Sequence, residues 1–443
     1  MDRPDLERTP AYPTTQSPKA HLVPDDEVGM VGLAGWLKAE GFDVSSAPSN
    51  ARFDQAHRPA SVPKSARWLV YAPDVPVEHR DRLVARREGI AESSYPAVLR
   101  DVLGRKLGIA IAGRRQGRLA AAMIGWTLTH AGFDPTVLLR GNVAQLGGAA
   151  RSGRGAHAVA DVTEALDEAI LGEPSPQMAV MLDIEKIGSR RTQILERLAV
   201  GVGPEGYILA ACGANSLDLS QLAPEACVES LSLHPGSTWW GADVREEHGC
   251  FRFRAFHRGR FAAEIRLKVP GAANVLSALA TVAVCTRVDV PARAIKDAME
   301  DFGGISRGFE TRGSYRGVTL IDDDSVEPED VAGCLTIARG RYGRRRIVTV
   351  FAPDRSPCGQ TITALANADR IVLWDRSVDA DDWAGMLEGA GVAALRVTNL
   401  DEALADLDQH LEPGDVLLTL GAGEVGTIAD AFIRRLSRDR QGR

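Results

Sequence analysis

The strongest constraint on the fold lies in the middle of the chain. Leu107–Ala112 reads LGIAIA, a short apolar run of strand type. A glycine-containing turn follows at 113–117. The 119–130 segment then carries apolar residues at helical spacing. Further short apolar runs lie at 136–139, 158–162 and 178–184. Buried strands alternating with helices through short turns specify a parallel sheet.

The flanking regions repeat the theme. Before 107, residues 28–40 (VGMVGLAGWLKAE) have helical spacing and 68–71 (WLVY) reads as a strand, closed by Pro73 and Pro76. The 84–89 and 97–103 segments read as helical. Beyond Phe309, strands are expected at 318–321, 346–351, 370–374 and 415–420, with helices at 328–339, 382–390 and 400–410. At roughly 150 residues per domain, 443 residues hold about three domains. The expected division is a loose tail at 1–20, an N-terminal domain at 21–107, a central domain at 108–310 and a C-terminal domain at 311–443.

Charge and cysteine content narrow the function classes. Lys+Arg is 52 against 59 Asp+Glu, a net charge of −7, so a basic footprint for nucleic acid is absent and no such partner is expected. The run 339–346 (RGRYGRRR) is a local basic patch. A run of this kind is a solvated loop or a contact for an acidic partner or nucleic acid. Among nine histidines there is no H-x-x-x-H metal pair. None of the six cysteines forms a C-x-x-C pair, which suits a reducing compartment. Residues 1–20 lack the apolar core of a signal peptide, and no apolar run is long enough to span a bilayer. The expectation is a soluble cytoplasmic protein with no membrane insertion.

Residues 109–155 read IAIAGRRQGRLAAAMIGWTLTHAGFDPTVLLRGNVAQLGGAARSGRG. This segment resembles the opening of the central domain of the UDP-N-acetylmuramate–L-alanine ligases of the Mur ligase family. Further stretches resemble that family in the same order: 21–33, 270–280 (PGAANVLSALA), 303–310 (GGISRGFE), 319–331 (TLIDDDSVEPEDV), 350–355 (VFAPDR) and 421–426 (GAGEVG). The resemblance covers about 21–435. It implies three α/β domains: a Rossmann-like N-terminal domain for a UDP-sugar, a P-loop-type central domain built on a parallel sheet, and a Rossmann-like C-terminal domain. It also implies ATP and magnesium as cofactors of an acid–amino-acid ligase working through an acyl phosphate.

The residues at the family's functional positions depart from its pattern. Aligned on Ala121-Ala122-Met123-Ile124, the P-loop lysine falls on Gly117 and the magnesium-holding Ser/Thr on Arg118. Gly113 keeps the first loop glycine, and Gln116 replaces the second. No lysine lies between 106 and 186, so no shift of register supplies one. Arg114, Arg115 and Arg118 keep the loop cationic. The UDP-sugar glycine loop becomes 24–30 (PDDEVGM), retaining Gly29 and Met30 but adding Asp25, Asp26 and Glu27 at a helix start. The magnesium glutamate aligns with Asp161, and the N-I-x-x-D-H stretch starts at Asp183. The resemblance keeps Asn274 as an adenine contact, with Arg307 and Asp323 at ATP-binding positions and Arg307 and Glu310 in the interdomain hinge. Gly421, Gly423 and Gly426 serve either turn geometry or ligand approach. The family's histidines at Gly188, Ala273, Val326, Glu327 and Asp354 are gone.

Three functional readings follow. One is a non-catalytic homologue in the peptidoglycan precursor pathway, binding an active Mur ligase or another cell-wall enzyme. The second is an active ligase in which Arg118 takes the lysine's role and Asp161 holds the metal. The third is an anion-binding module using 114–118. Loss of polar residues at several separate sites, with the apolar framework retained, favours the first.

Overall fold

A computed structural model of the chain describes residues 17–23, 28–47, 60–173, 175–183, 189–211, 223–353, 356–374, 380–392, 394–423 and 425–441. Asp25, Asp26, Glu27, Gly188, Asp354 and Arg355 of the sequence reading lie outside them. Two compact units are present. One comprises 1–245, 252–268 and 273–303, the other 246–251, 269–272 and 304–443.

The first unit holds two sheets. Strands β1 (Lys19–Val23), β2 (Asp43–Ser46), β3 (Ala66–Tyr71) and β4 (Ala91–Ser94) form a parallel sheet in the order β2-β1-β3-β4. Three helices accompany it: α1 (Val28–Ala39), α2 (Arg80–Arg87) and α3 (Tyr95–Gly104). The α3 helix starts where Ser94 Oγ accepts the Ala97 amide, with Pro96 in its first turn. Glycines let α1 lie unusually close to its neighbours. A Cβ on Gly32 would stand 2.8 Å from the Leu139 carbonyl oxygen, and one on Gly29 would stand 2.6 Å from Tyr95 Oη.

The second sheet has ten strands. They are β5 (Leu107–Ala112), β6 (Thr136–Val143), β7 (Gly148–Arg151), β8 (His157–Asp161), β9 (Met178–Met181), β10 (Tyr207–Ala211), β11 (Cys227–Ser232), β12 (Trp239–Glu247), β13 (Cys250–His257) and β14 (Arg260–Arg266). Their order is β14-β13-β12-β11-β10-β9-β5-β8-β6-β7. β5 lies between β8 and β9, parallel to both. That central place explains why it reads as apolar on both faces. Helix α4 (Arg115–His130) follows it and buries Leu119, Met123, Ile124 and Leu128.

In the first unit the structure departs from the sequence reading at several places: strands β1, β2, β4, β7, β10 and β11 lie outside its expected runs. The α4 helix begins at Arg115, four residues before the apolar stripe, because its first amides find an acceptor described below. Strands β12 to β14 also lie outside the expected runs: β12 pairs parallel with β11, β13 and β14 pair antiparallel, and β13 alternates, with Phe253 and Ala255 pointing in and Arg254 out.

The second unit carries a six-stranded sheet. Its strands are β15 (Glu310–Tyr315), β16 (Val318–Asp323), β17 (Ile347–Ala352), β18 (Arg370–Trp374), β19 (Ala394–Val397) and β20 (Val416–Gly421), in the order β15-β16-β20-β17-β18-β19. All neighbours are parallel except β15 and β16. Alternate residues feed separate cores on its two faces. Ile321, Phe351, Leu373 and Leu418 lie in one, and Leu320, Val350, Val372 and Leu417 in the other. No described helix is long and apolar enough to cross a membrane.

Candidate functional site

The loop after β5 is the place where a P-loop-type domain would hold phosphate. Gly113 has φ +151, and a Cβ there would stand 2.3 Å from the Leu182 carbonyl oxygen and 2.6 Å from Asp183 Oδ1. The Asp183 carboxylate therefore reaches directly over the loop. Its Oδ2 accepts the backbone amides of Arg115 (3.1 Å) and Gln116 (3.3 Å), two of the donors exposed at the start of α4. A carboxylate of the chain itself thus engages the helix end that suits an anion. Asp183 is buried and holds a left-handed backbone, φ +38.

Gly117, where the family lysine aligns, sits inside α4. A Cβ there would stand 2.9 Å from the Ala112 carbonyl carbon, so the backbone leaves no room for a side chain. The Gln116 carbonyl accepts a hydrogen bond from Ser277 Oγ at 2.9 Å. Loop and helix are tied in place by neutral contacts and by Asp183.

Asp161 ends β8 beside this loop and is fully buried. Its Oδ2 accepts Arg140 Nε at 2.7 Å, and its Oδ1 accepts the Thr163 amide at 3.0 Å. The Arg140 guanidinium also donates to Glu164 Oε1 (3.2 Å) and to the carbonyls of Gly113 (3.3 Å) and Arg114 (3.0 Å). Burial works against the Arg140 charge, but Asp161 and Glu164 outweigh it and hold its pKa above the usual arginine range. Thr163 closes the arrangement. Its hydroxyl accepts the Gly113 amide at 3.0 Å and donates to the Gly113 carbonyl at 2.9 Å.

These contacts decide the fit to ATP and magnesium. A divalent cation needs free oxygen ligands. Here the retained carboxylate is neutralised by a guanidinium, and Glu164 is shared between Arg140 and Arg191. A triphosphate needs the amides that Asp183 occupies. The residues present do not fit the magnesium–phosphate pair.

The other retained positions are also tied down. Asn274 begins the helix Asn274–Arg287. Gly29 and Met30 are buried within α1, where Gly29 meets Tyr95. In the second unit Arg307 has φ +59 and acts as a strut. Its Nε donates to Asp322 Oδ2 (3.0 Å), and its terminal nitrogens donate to the carbonyls of Gly421 (2.7 Å) and Gly423 (3.2 Å). Its amide donates to Glu310 Oε2 at 2.9 Å. A Cβ on Gly426 would stand 2.9 Å from Arg307 Nε. The Asp322 carboxyl is pushed up by burial, with Arg307 opposing. Asp323 is fully buried and accepts the Phe309 amide at 2.7 Å, the Ser325 amide at 2.9 Å and the Ser325 hydroxyl.

Three of the five arginines in the basic run at 339–346 are engaged by neighbouring acceptors. Arg339 pairs with Asp369, Arg345 donates to Gly414 and Asp415 carbonyls, and Arg346 pairs with Asp415. Trp239 is buried, and its Nε1 donates to Glu229 Oε2 at 2.7 Å; Trp240 stacks on Phe256. Sequence reasoning missed Arg140 and Thr163 altogether. The available signal was an arginine closing the apolar run 136–139, since such a residue at a buried strand end requires a carboxylate.

Comparison with known proteins is consistent along the chain. Residues 306–423 match the family described as "Mur ligase, glutamate ligase domain". A UDP-N-acetylmuramate–L-alanine ligase of Geobacter sulfurreducens is 28% identical, the alignment covering 96% of this chain and 98% of the relative. One of a Sulfurihydrogenibium species is also 28% identical over 95% and 98%. The crystal structure of the UDP-N-acetylmuramate-alanine ligase of Thermotoga maritima superposes with a TM-score of 0.77 at 22% identity, covering 95% of this chain and 99% of that one. A murein peptide ligase of Psychrobacter arcticus gives 0.68 at 17% identity, covering 94% and 98%. The three sheets are those of the three-domain α/β architecture of these ligases. Along almost its entire length the chain is similar to the UDP-N-acetylmuramate–L-alanine ligases, and its 306–423 segment matches the Mur ligase family.

Proposed function

We propose that the chain is a non-catalytic homologue of the UDP-N-acetylmuramate–L-alanine ligases. It acts by binding within the peptidoglycan precursor pathway, with an active Mur ligase or another cell-wall enzyme as its partner. One observation carries the reading: the chain supplies its own counter-charges at the site, Asp183 on the α4 amides and Arg140 on Asp161. Loss of the lysine and hydroxyl alone would leave an empty cradle. Filling the cradle with internal charges removes the electrostatic reason for magnesium-ATP to enter.

An active ligase would use Arg118 as the phosphate cation and Asp161 as the metal ligand. The engagement of Asp161 by Arg140 weighs against it. The test is a phosphate-release assay of the purified chain with UDP-N-acetylmuramate, L-alanine and magnesium-ATP, beside calorimetric titration with each ligand. No release and no nucleotide heat are expected. Turnover that disappears in Arg118→Ala or Asp161→Ala would replace this reading with the active one.

A further inference from the structure

A second cavity in the first unit lies at the other ends of the same strands. It opens where β5 and β6 begin, whereas the 113–117 loop follows the end of β5. Its volume is about 480 Å³, within the range of small-molecule sites, ~300–1,000 Å³. Trp36 from the end of α1 and Trp68 from β3 form its apolar wall, with Val98 and Val102 of α3.

The cations of this cleft are unusually uncommitted. Arg105 and Arg154 both line it and both are exposed. Neither guanidinium has an ion pair or hydrogen bond among the described residues. Lys106 forms part of the wall beside them. Its ammonium donates to Thr136 Oγ1 (2.9 Å) and to the carbonyls of Gly153 (2.5 Å) and Gly155 (2.9 Å). Those three acceptors are neutral, so they hold the charge in place without cancelling it. Burial pushes the Lys106 pKa down. Of the two carboxylates of the lining, one is paired with a cation and the other keeps its charge. Asp101 is held by Arg100 at 3.1 Å, and Glu40 accepts the Ser152 hydroxyl.

We propose that this cleft is a binding site for a small planar molecule bearing an anionic group, an aromatic carboxylate in chemical class. Its ring lies along the tryptophan wall, and its anion is taken by Arg105 and Arg154. An arginine pair suits a carboxylate because the planar fork can donate two parallel hydrogen bonds. The apolar wall supplies affinity and the cations select the charge. The site is separate from the loop at 113–117, so its occupancy does not depend on whether that loop is catalytic.

The test titrates the full chain with anilinonaphthalene sulfonate, a planar apolar body with one anion, and with the neutral phenylnaphthylamine. Indole-3-acetate serves as a competing aromatic carboxylate. The anionic dye should bind more tightly, be displaced by indole-3-acetate and weaken as salt rises. The double variant Arg105→Ala/Arg154→Ala should lose about tenfold in dye affinity. Ala39→Trp, at an exposed position of the lining, should fill the cleft and abolish binding. Because all three sites are exposed, the melting temperature should stay near that of the parent. Equal binding of the neutral and anionic dyes would overturn the proposal. So would unchanged anionic binding in the double variant or in Ala39→Trp.

Discussion

Arg140 Nε lies 2.7 Å from Asp161 Oδ2, and the same guanidinium reaches the carbonyls of Gly113 and Arg114. One side chain thereby links the end of β8 to the loop after β5. Both members of the pair are shielded from water: 12% of the Arg140 side chain is exposed and none of Asp161. In such a place each charge depends on the other.

Removing one partner should be costly. Arg140→Met leaves Asp161 buried without its cation and should destabilise the first unit by about 3–5 kcal/mol. Urea unfolding at neutral pH measures this. Adding Asp161→Asn to the same chain should restore much of the loss, since the stranded charge is gone. If the double variant is as unstable as the sum of the singles, the pair is not the energetic unit.

Asp183 acts on the neighbouring amides. Asp183→Asn keeps a residue type that tolerates the left-handed backbone and removes the charge. Its carbonyl oxygen can still accept the amides, so only the charge–dipole contribution of about 0.3–1 kcal/mol should be lost. Without the carboxylate charge, the helix end should no longer repel an external anion. Calorimetry with pyrophosphate should show binding in this variant and none in the parent. Equal behaviour of the two would mean that Asp183 does not mask the helix end.

Restoring the family lysine should fail. Gly117→Lys places a Cβ 2.9 Å from the Ala112 carbonyl carbon. The strain should cost about 1–3 kcal/mol. Magnesium-ATP binding should remain absent, alone or with Arg118→Thr. Nucleotide binding by the double variant would show that the loop backbone adapts and that only the two side chains were missing.

A buried network in the second sheet sets an acid limit. Burial alone would raise the Glu229 pKa. Hydrogen bonds from His257, Trp239 and Tyr207 outweigh it and hold the carboxyl below the usual glutamate range. A depressed carboxyl pKa contributes stability that is present above the unfolded value, near 4.3, and is lost as pH falls through the folded value. Thermal unfolding between neutral pH and about pH 3 should therefore show a decline in Tm. Glu229→Gln should have a lower Tm at neutral pH and a smaller acid decline. An identical slope in the two chains would remove Glu229 from the account.

Several central strands were legible in the sequence: β3 in the first sheet, β5, β6, β8 and β9 in the second, and β16, β17, β18 and β20 in the third, whereas β1, at the centre of the first sheet, was not. LGIAIA had to be a strand covered on both faces, and β17, β18 and β20 carry the same apolar signature within a residue or so of the expected bounds. Apolar periodicity is a local property, because each residue reports its own burial. Family motifs in fixed order are local in the same way. Against the family pattern, the sequence aligns Gly117 and Arg118 with the positions expected to carry a lysine and a hydroxyl.

What replaced them was decided only in three dimensions. Arg140 and Asp161 are 21 residues apart, and Asp183 is 68 residues from the Arg115 amide it accepts. In one dimension Arg140 is merely a charge after a strand, and Asp183 merely a lost asparagine. Charge pairing across a parallel sheet depends on strand order, and here β5 runs between β8 and β9. That order brings the ends of both neighbours to the glycine loop. Sequence determined the apolar strands and the residue types at the loop; the tertiary fold determined that Arg140 meets Asp161 and that Asp183 meets the α4 amides.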